Sequence, residues 1–545
     1  MNSRLKTTAL GLVLCAATCP AVAQIPQSIT TPDKVESSIG TLEYRDGAPG
    51  KETVQKAYDY LDLMRGVEAF VNAYQGASVA TIFKGLQDAG VPDNTALIFS
   101  ELMDAKSLML TNNADTIYFY VNLDFAKGPI VVETPPMSLG VVDDMWFNWI
   151  TDFGLPGPDR GEGGKYLFVP PGYKGELPGS GYFVEKPRTT RATMLGRAFL
   201  EKNDPKPVVA LIKKTLKVYP YLPGGYGTSI GSALEGKSTL ARTPEHKLDW
   251  AFLRPHEPVK FTEGTGKVMN TVPPSDFSYF QVINDLVQKE PVGALDPEMM
   301  GSLAAIGIVK GKPFAPDGRM KKILTDAAAI GNAAARTLNF KWRASDVGGY
   351  YYKDSAWFNP LFIGGYNMET PPPQVSPEGV ITVNPPTGAR TLNVRTVMFF
   401  GYTYITPAMI MRLTDIGSQY LIQTVDSKGE YFDGGKTYKC TLPKDVPAGK
   451  FWSFTVYDNQ TRSMLDTPQR YPRAGSQSYP TPAAKAGTDG STTVYFAPTK
   501  PAGVNDGNWI QTDPKKGWFP VLRLYSPLEP FFTKAWRPSE IELVQ

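Results

Sequence analysis

The chain has 545 residues, with 56 Lys and Arg against 53 Asp and Glu, and is 42% apolar and 20% charged. This near balance, without a basic run, excludes nucleic acid and argues against an anionic membrane surface as partner, while the composition is that of a folded globular protein. Two histidines, His246 and His256, outside any His-Glu-x-x-His or Cys/His cluster, exclude a metal centre built on several imidazoles.

Residues 1–23 read as an export signal. Arg4 and Lys6 form a basic start, Ala9 to Ala17 is apolar, and Ala21-Val22-Ala23 is a small-x-small cleavage pattern. Cleavage after Ala23 predicts Gln24 as the mature N-terminus and a periplasmic or secreted location. The leader takes Arg4, Lys6, Cys15 and Cys19 with it, leaving 54 basic against 53 acidic residues and Cys440 alone. One cysteine closes no internal disulfide, so stability must come from buried core. Cys440 sits in the alternating run Thr437 to Leu442 and reads as a buried thiol.

Residues 24–50 are polar and turn-rich, the pattern of a surface tail. Lys51 to about Tyr74 has helical spacing, with Val54, Ala57, Tyr58, Leu61, Met64 and Val71 on one stripe, and a short helix follows at Thr81 to Asp88. The period then changes to two. Ile117 to Leu123 and Ile130 to Thr134 read as strands around the turn Lys127-Gly128-Pro129, and Val141 to Phe153, Tyr166 to Val169 and Gly181 to Glu185 continue the β pattern. Helical spacing returns at Pro205 to Tyr219, Phe277 to Lys289, Pro297 to Gly307 and Asp317 to Phe340, the last with Asp317 as N-cap and a stripe of small residues suited to close packing. Val397 to Leu413 is the most apolar stretch, but Thr403, Thr406, Pro407 and Arg412 interrupt it, so it reads as core and not as a membrane span. Short strands reappear at Tyr420 to Val425, Tyr438 to Leu442, Trp452 to Tyr457, Thr492 to Ala497 and Val521 to Tyr525, with Asp489-Gly490 as a hairpin signal. The predicted class is α+β: two β-rich, sandwich- or jelly-roll-like domains, 51–200 and 369–545, joined by a helical middle, 201–368.

Chemistry-bearing motifs are few. Gly227-Thr-Ser229-Ile-Gly231 has the Gly-x-Ser-x-Gly form of a nucleophile elbow, with Asp249 and His256 as conceivable partners, but it follows glycine-rich loop and lacks the strand-to-helix context that exposes such a serine. In Asp143-Asp144-Met-Trp146-Phe-Asn-Trp149 the paired carboxylates and tryptophans suggest proton sharing or stacking on a flat ligand, though a regular strand would send Asp143 and Asp144 to opposite faces. No cofactor motif is evident; a hard cation such as calcium, held by carboxylates, stays open.

Longer runs resemble a known pairing. Thr111-Asn112-Asn113-Ala114-Asp115-Thr116-Ile117-Tyr118 with Gly128 to Val132 resembles the N-terminal half of proteins carrying domain of unknown function 1254. Phe451 to Asp458, Thr461 to Leu465, Asn508 to Thr512, and Gly517 through Pro530 to Pro538 resemble its usual companion, domain of unknown function 1214. The resemblance implies β-rich terminal domains linked by helices in an exported bacterial protein, without an established biochemical role. Ala114 interrupts the family's Asn-Asn-Asp-Thr string, which shifts Asp115 and Thr116 against any shared site. The ligand-binding candidates are Asn112, Asn113 and Asp115 before a strand, Asp458, Arg470 and Tyr471, and Arg523 within an apolar strand. A guanidinium there needs an acidic partner, and Asp115 or Asp458 could provide it, either at a ligand site or as a bridge locking the two halves. Three functions follow: binding of a small molecule or envelope component between the β domains, hydrolysis through carboxylates with or without a divalent cation (or through Ser229), and a structural role in envelope assembly. Oligomerisation is left open.

Overall fold

The computed structural model describes residues 25–221, 256–343, 350–359, 361, 366–368, 388–410 and 413–544, with the backbone of 374–375 and 381–382. The leader, its cleavage site, Ser229, His246 and Asp249 lie outside the described residues.

The chain divides after Asp62 into two compact units. In the first, the sequence reads as a polar tail, yet β1 (Lys34–Ser37), β2 (Gly40–Arg45) and β3 (Ala48–Pro49) form an antiparallel three-stranded sheet. Helix α1 (Lys51–Asn72) follows as the periodicity predicts. Its most apolar stripe is not its buried side: Val54, Tyr58, Leu61 and Met64 are exposed, whereas Gly66, Ala69 and Phe70 are buried.

In the second unit, helix α2 (Tyr74–Asp88) leads into two β modules with helices between them. The first module contains β4 (Ala96–Ile98), β5 (Ser107–Leu108), β6 (Ile117–Asp124), β7 (Ile130–Glu133), β8 (Leu139–Asp144), β9 (Trp149–Gly154), β10 (Lys165–Phe168), β11 (Phe183–Glu185) and β12 (Arg191–Ala198). Helix α3 (Lys206–Thr215), β13 (Lys217–Pro220), β14 (Phe261–Glu263) and β15 (Met269–Asn270) follow. A six-stranded sheet has the order β14-β4-β6-β12-β8-β9, a four-stranded sheet the order β11-β10-β7-β13, and β15 pairs β5. β6 and β7, neighbours in sequence, therefore belong to different sheets.

The alternation of β6, β12, β8 and β9 decides the two faces of the large sheet. One cross-strand row reads Phe119, Gly196, Gly140, Phe153. A Cβ on Gly196 would sit 2.0 Å from the Phe119 ring and one on Gly140 would sit 1.9 Å from the Phe153 ring, so the glycines make room for two aromatic rings laid over the strands. The opposite face carries Tyr120, Leu195, Val141 and Asp152 in one row and Tyr118, Arg197, Leu139 and Gly154 in the next.

The middle region holds helices Ser278–Lys289, Pro297–Ala305, Gly318–Phe340 and Leu392–Gly401. Asp317 caps the third, accepting from the Met320 N–H at 2.8 Å. β16 (Gln374–Val375) and β17 (Ile381–Thr382) form a small antiparallel pair.

The C-terminal module is a sandwich of two four-stranded sheets. β18 (Ser418–Ile422), β20 (Ala448–Asp458), β21 (Arg473–Gly475) and β24 (Trp518–Pro527) make one, ordered β18-β24-β20-β21. β19 (Tyr438–Leu442), β22 (Thr492–Ala497), β23 (Trp509–Gln511) and β25 (Glu542–Leu543) make the other, ordered β23-β22-β19-β25. The Asp489-Gly490 turn forms but joins no strand pair, since the residues before it are not a strand. Leu421, Phe454, Val456, Ala474, Leu522 and Leu524 face inward with Cys440, whose thiol burial pushes up to about 12. The alternate residues Ser453, Thr455, Arg473, Val521, Arg523 and Tyr525 point the other way and are still buried. β24 is thus buried on both sides, with an apolar face for its own sandwich and a polar face for the rest of the unit.

Candidate functional site

Between these two inner faces lies a cavity of about 600 Å³. Its floor is the face of the large sheet bearing Tyr118, Tyr120, Leu195, Arg197, Leu139, Val141 and Asp152, and one wall is Ser418 and Tyr420 of β18 with Val521 and Arg523 of β24. The segment after helix Leu392–Gly401 crosses the floor. Tyr404 OH shares a hydrogen bond with Thr193 Oγ1 at 2.6 Å, the Ile405 N–H donates to Asp143 Oδ2 at 3.0 Å, and Thr406 Oγ1 donates to Asp152 Oδ2 at 2.7 Å. Three successive residues thereby bind β12, β8 and β9, so the stretch read as plain core also borders the cavity.

The candidates from sequence fall at several places. Asn112, Asn113 and Arg523 line the cavity. Asn113 Oδ1 accepts from the N–H groups of Asp115 (2.7 Å) and Thr116 (3.2 Å), and its amide donates to Tyr525 OH at 2.7 Å. Asn112 donates to the Asp104 and Ser107 carbonyls and accepts from the Met464 N–H at 2.9 Å. These amides fix the turn that enters β6. Asp115 lies behind them, fully buried. Its acidic charge meets Arg473, with Arg473 Nε on Asp115 Oδ1 at 2.5 Å, while Ser453 Oγ and Tyr525 OH donate to Oδ2 at 2.7 and 2.9 Å. Burial pushes this carboxyl up, but the guanidinium groups of Arg473 and Arg523 and the hydrogen bonds outweigh it and hold it below the usual carboxylate range.

Asp115 therefore does bridge the two modules, through Arg473 and not Arg523. Asp458 pairs instead with Lys516 at 2.6 Å. Arg470 reaches Asp104 at 3.1 Å and Glu101 at 3.3 Å, and Tyr471 OH donates to the Glu101 carbonyl at 2.8 Å. Asp458, Arg470 and Tyr471 do not line the cavity.

The stretch from Asp143 to Trp149 is not one strand: β8 ends at Asp144, β9 begins at Trp149, and the residues between them make a hairpin turn. Asp144 Oδ1 accepts from the N–H groups of Trp146 at 2.8 Å and Asn148 at 2.9 Å, and Phe147 adopts φ +49°. Burial pushes Asp144 up to about 6, against those hydrogen bonds. Asp143 holds the crossing segment; burial, with Asp144 and Asp152 nearby, pushes it well above the carboxylate range. Trp146 is core, packed so closely under α2 that a Cβ on Gly76 would lie 2.4 Å from its ring. Of the four only Trp149 lines the cavity, edge-on to Tyr366.

Sequence reading missed Asp152 and Arg197. Asp152 is 6% exposed and lines the cavity; burial pushes it up to about 6, opposed by the Thr406 hydroxyl and the Trp149 indole. Arg197 donates to Ser418 Oγ at 3.3 Å, which in turn bonds Tyr420 OH at 2.8 Å. The alternation Ala192, Met194, Gly196, Ala198 against Thr193, Leu195, Arg197 was the available signal for this strand. Among the described residues no group of three or more His, Cys, Asp or Glu is placed to hold a metal ion, and no helix is long and apolar enough to cross a membrane.

The fold and site define a chain of two β modules with a shared, partly charged cavity at their junction. Residues 94–220 match the family described as Protein of unknown function (DUF1254), and residues 417–529 match Protein of unknown function (DUF1214). The chain is similar to the VPA0106 protein from Vibrio parahaemolyticus, whose crystal structure gives a TM-score of 0.49 at 17% identity over 89% of this chain and 100% of that one. It is also similar to an uncharacterized protein from Burkholderia cenocepacia, with a TM-score of 0.35 at 12% identity over 90% of this chain and 96% of that one. No curated protein matches the chain.

Proposed function

We propose that the chain is an exported binding protein that holds a small molecule between its two β modules. The observation that carries this reading is the cavity of about 600 Å³ whose floor and wall come from different modules. That volume lies within the range of small-molecule sites, and the lining has their usual mixture of apolar surface and a few converging polar groups. Export rests on the leader pattern of residues 1–23 and gives a periplasmic or secreted location.

The test uses the neutral dye phenylnaphthylamine, followed by its own emission and by quenching of tryptophan. Saturable one-to-one binding is expected, and Leu195→Trp, which puts an indole into the floor, should weaken it about tenfold or more while leaving the circular dichroism unchanged. Equal binding by the folded variant would overturn the cavity as the site.

One observation favours a second reading, hydrolysis through a carboxylate. Asp152 borders the cavity with its carboxyl raised to about 6, a value suited to proton transfer near neutral pH. Chromogenic ester, phosphate and glycoside substrates, with and without chelator, should then show turnover lost in Asp152→Asn; a flat response at high protein concentration rejects it.

A further inference from the structure

The charges around the cavity do not balance. Its lining includes Arg160, Arg197 and Arg523 but a single carboxylate, Asp152. Asp152 is on β9, two strands away from β12, so on the order of 10 Å separates it from the strand that carries Arg197, at the usual spacing between strands. Asp115, the carboxylate closest in charge to Arg523, is already committed to Arg473. Arg473 and Arg523 therefore share one carboxylate, while the groups that act on Arg197 are the phenols of Tyr118, Tyr420 and Tyr525.

Neighbouring groups do not supply the missing charge. Arg523 is 4% exposed and bonds only neutral acceptors, the Thr111 carbonyl at 3.1 Å and Tyr457 OH at 2.6 Å. Its Nη1 is buried without a hydrogen-bond partner among the described residues. Arg197 makes no ion pair among the described residues. The surrounding phenols stay neutral at physiological pH: burial raises Tyr118 and raises Tyr525 well above the ordinary tyrosine value, and it takes Tyr457 to about 12. A guanidinium taken from water without a counter-charge is costly, and arginine stays charged at every relevant pH. The polar wall is thus built for an anion that the chain itself does not provide.

We propose that the cavity takes an amphipathic organic anion, with its oxyanion headgroup at Arg197 and Arg523 and its apolar body along Leu139, Val141, Leu195 and Trp149. Guanidinium groups match carboxylate, sulfonate and phosphate oxygens through paired N–H donors. Ser418 and the phenols of Tyr118 and Tyr420 border the same end and can donate to the remaining oxygens. Arg160, exposed at the rim, adds positive potential along the way in. This inference rests on the binding reading above and names the class of ligand for the same cavity.

The experiment compares naphthoate, naphthalenesulfonate and naphthyl phosphate with neutral naphthamide, by calorimetric titration of the whole chain. At least one anion should bind about tenfold more tightly than naphthamide, and the three anions separate a carboxylate site from a sulfonate or phosphate site. Arg197→Met, whose side chain is only half-buried, should bring that anion to within about twofold of naphthamide while leaving naphthamide affinity unchanged. Arg523→Lys keeps the charge but loses the fork, so it should reduce the preference only in part. Equal binding of naphthamide and all anions to the native chain overturns the anion site and leaves the binding reading standing. A preference that survives in folded Arg197→Met overturns the assignment of the headgroup to this wall. Failure of all four compounds, together with phenylnaphthylamine, to bind overturns both.

Discussion

Asp152 is held at the edge of the cavity at a cost that depends on pH. Its folded pKa, about 6, lies above the ordinary carboxylate value, so the folded chain binds more protons than the unfolded one between about pH 4 and pH 6. The sign follows directly: stability is greatest below about pH 4, falls as pH rises to 6, and above that carries the full penalty, at most about 3 kcal/mol for this group. Asp144 adds to the same window, since burial takes it to about 6 as well. Asp152→Asn keeps an oxygen for the Thr406 hydroxyl and removes the charge. Calorimetry should give it a higher Tm than the native chain at about pH 7.5 and an equal Tm at about pH 4. A lower Tm at pH 7.5 would mean that the ionised carboxylate has a stabilising partner. The sequence exposed part of this site and hid the rest for local reasons. Asn112, Asn113 and Arg523 stand out because polar residues before a strand and a cation inside an apolar one need explaining. Asp152 does not stand out, because its relation to Thr406 is made across 254 positions. Arg197 lies in a strand weakened on paper by Gly196, and the reason for that glycine, the Phe119 ring beside it, appears only in the folded sheet.

At the scale of elements, the helix Gly318–Phe340 shows what sequence pattern can and cannot give. Its N-cap and its small-residue stripe were legible, and the stripe does pack closely: a Cβ on Gly331 would sit 2.5 Å from the Phe70 ring, and one on Gly66 of α1 would sit 2.7 Å from Ala327. The apolar stripe of α1 misled because approach between these helices was set by small residues and not by the largest ones. The same substitution should therefore have opposite signs in two helices. Replacing glycine by alanine in a helix gains up to about 1 kcal/mol intrinsically. Gly301, in helix Pro297–Ala305, has nothing within 4 Å of the added methyl and should show that gain. Gly331→Ala meets the fully buried Phe70, and overpacking of about 1–3 kcal/mol should reverse the sign. Urea midpoints of the two variants test this; a stabilised Gly331→Ala would mean that the two helices slide apart at little cost. Strands with strict alternation or aromatic runs, such as β19 and β22, were readable to the residue, whereas β4 and β12 were not. β4 lies inside the large sheet, where burial on two faces erases the polar half of the pattern, and the alternation of β12 is weakened by Gly196.

Across the whole molecule, the two β modules meet through polar faces, and the fully buried Asp115 is the centre of that contact. Arg473, Ser453 and Tyr525, all from the C-terminal sheet, converge on a carboxylate supplied by the turn into β6. The resemblance in the sequence brought Asp115 forward, but the identity of its partner depended on the pairing of β20 with β21, which places Arg473 opposite Thr455 on the face turned away from the sandwich core. Since this carboxyl is held below the usual range, its contribution has the opposite pH sign from that of Asp152: it is fully present above about pH 4 and is lost as pH falls through the lower folded value. Asp115→Asn leaves Arg473 buried without its counter-charge, which should cost about 3–5 kcal/mol at neutral pH, and the deficit should shrink as acid protonates the native carboxyl. The C-terminal sandwich has its own apolar core on the far side of the sheet, from Phe454 to Leu524. Loosening the joint should therefore let that module persist while the first one melts, splitting a single calorimetric transition into two. Arg473→Met combined with Asp115→Leu, which removes both charges, should recover much of the lost stability. A single transition at an unchanged Tm in Asp115→Asn would show that the amides of Asn112 and Asn113, and not the ion pair, hold the modules together.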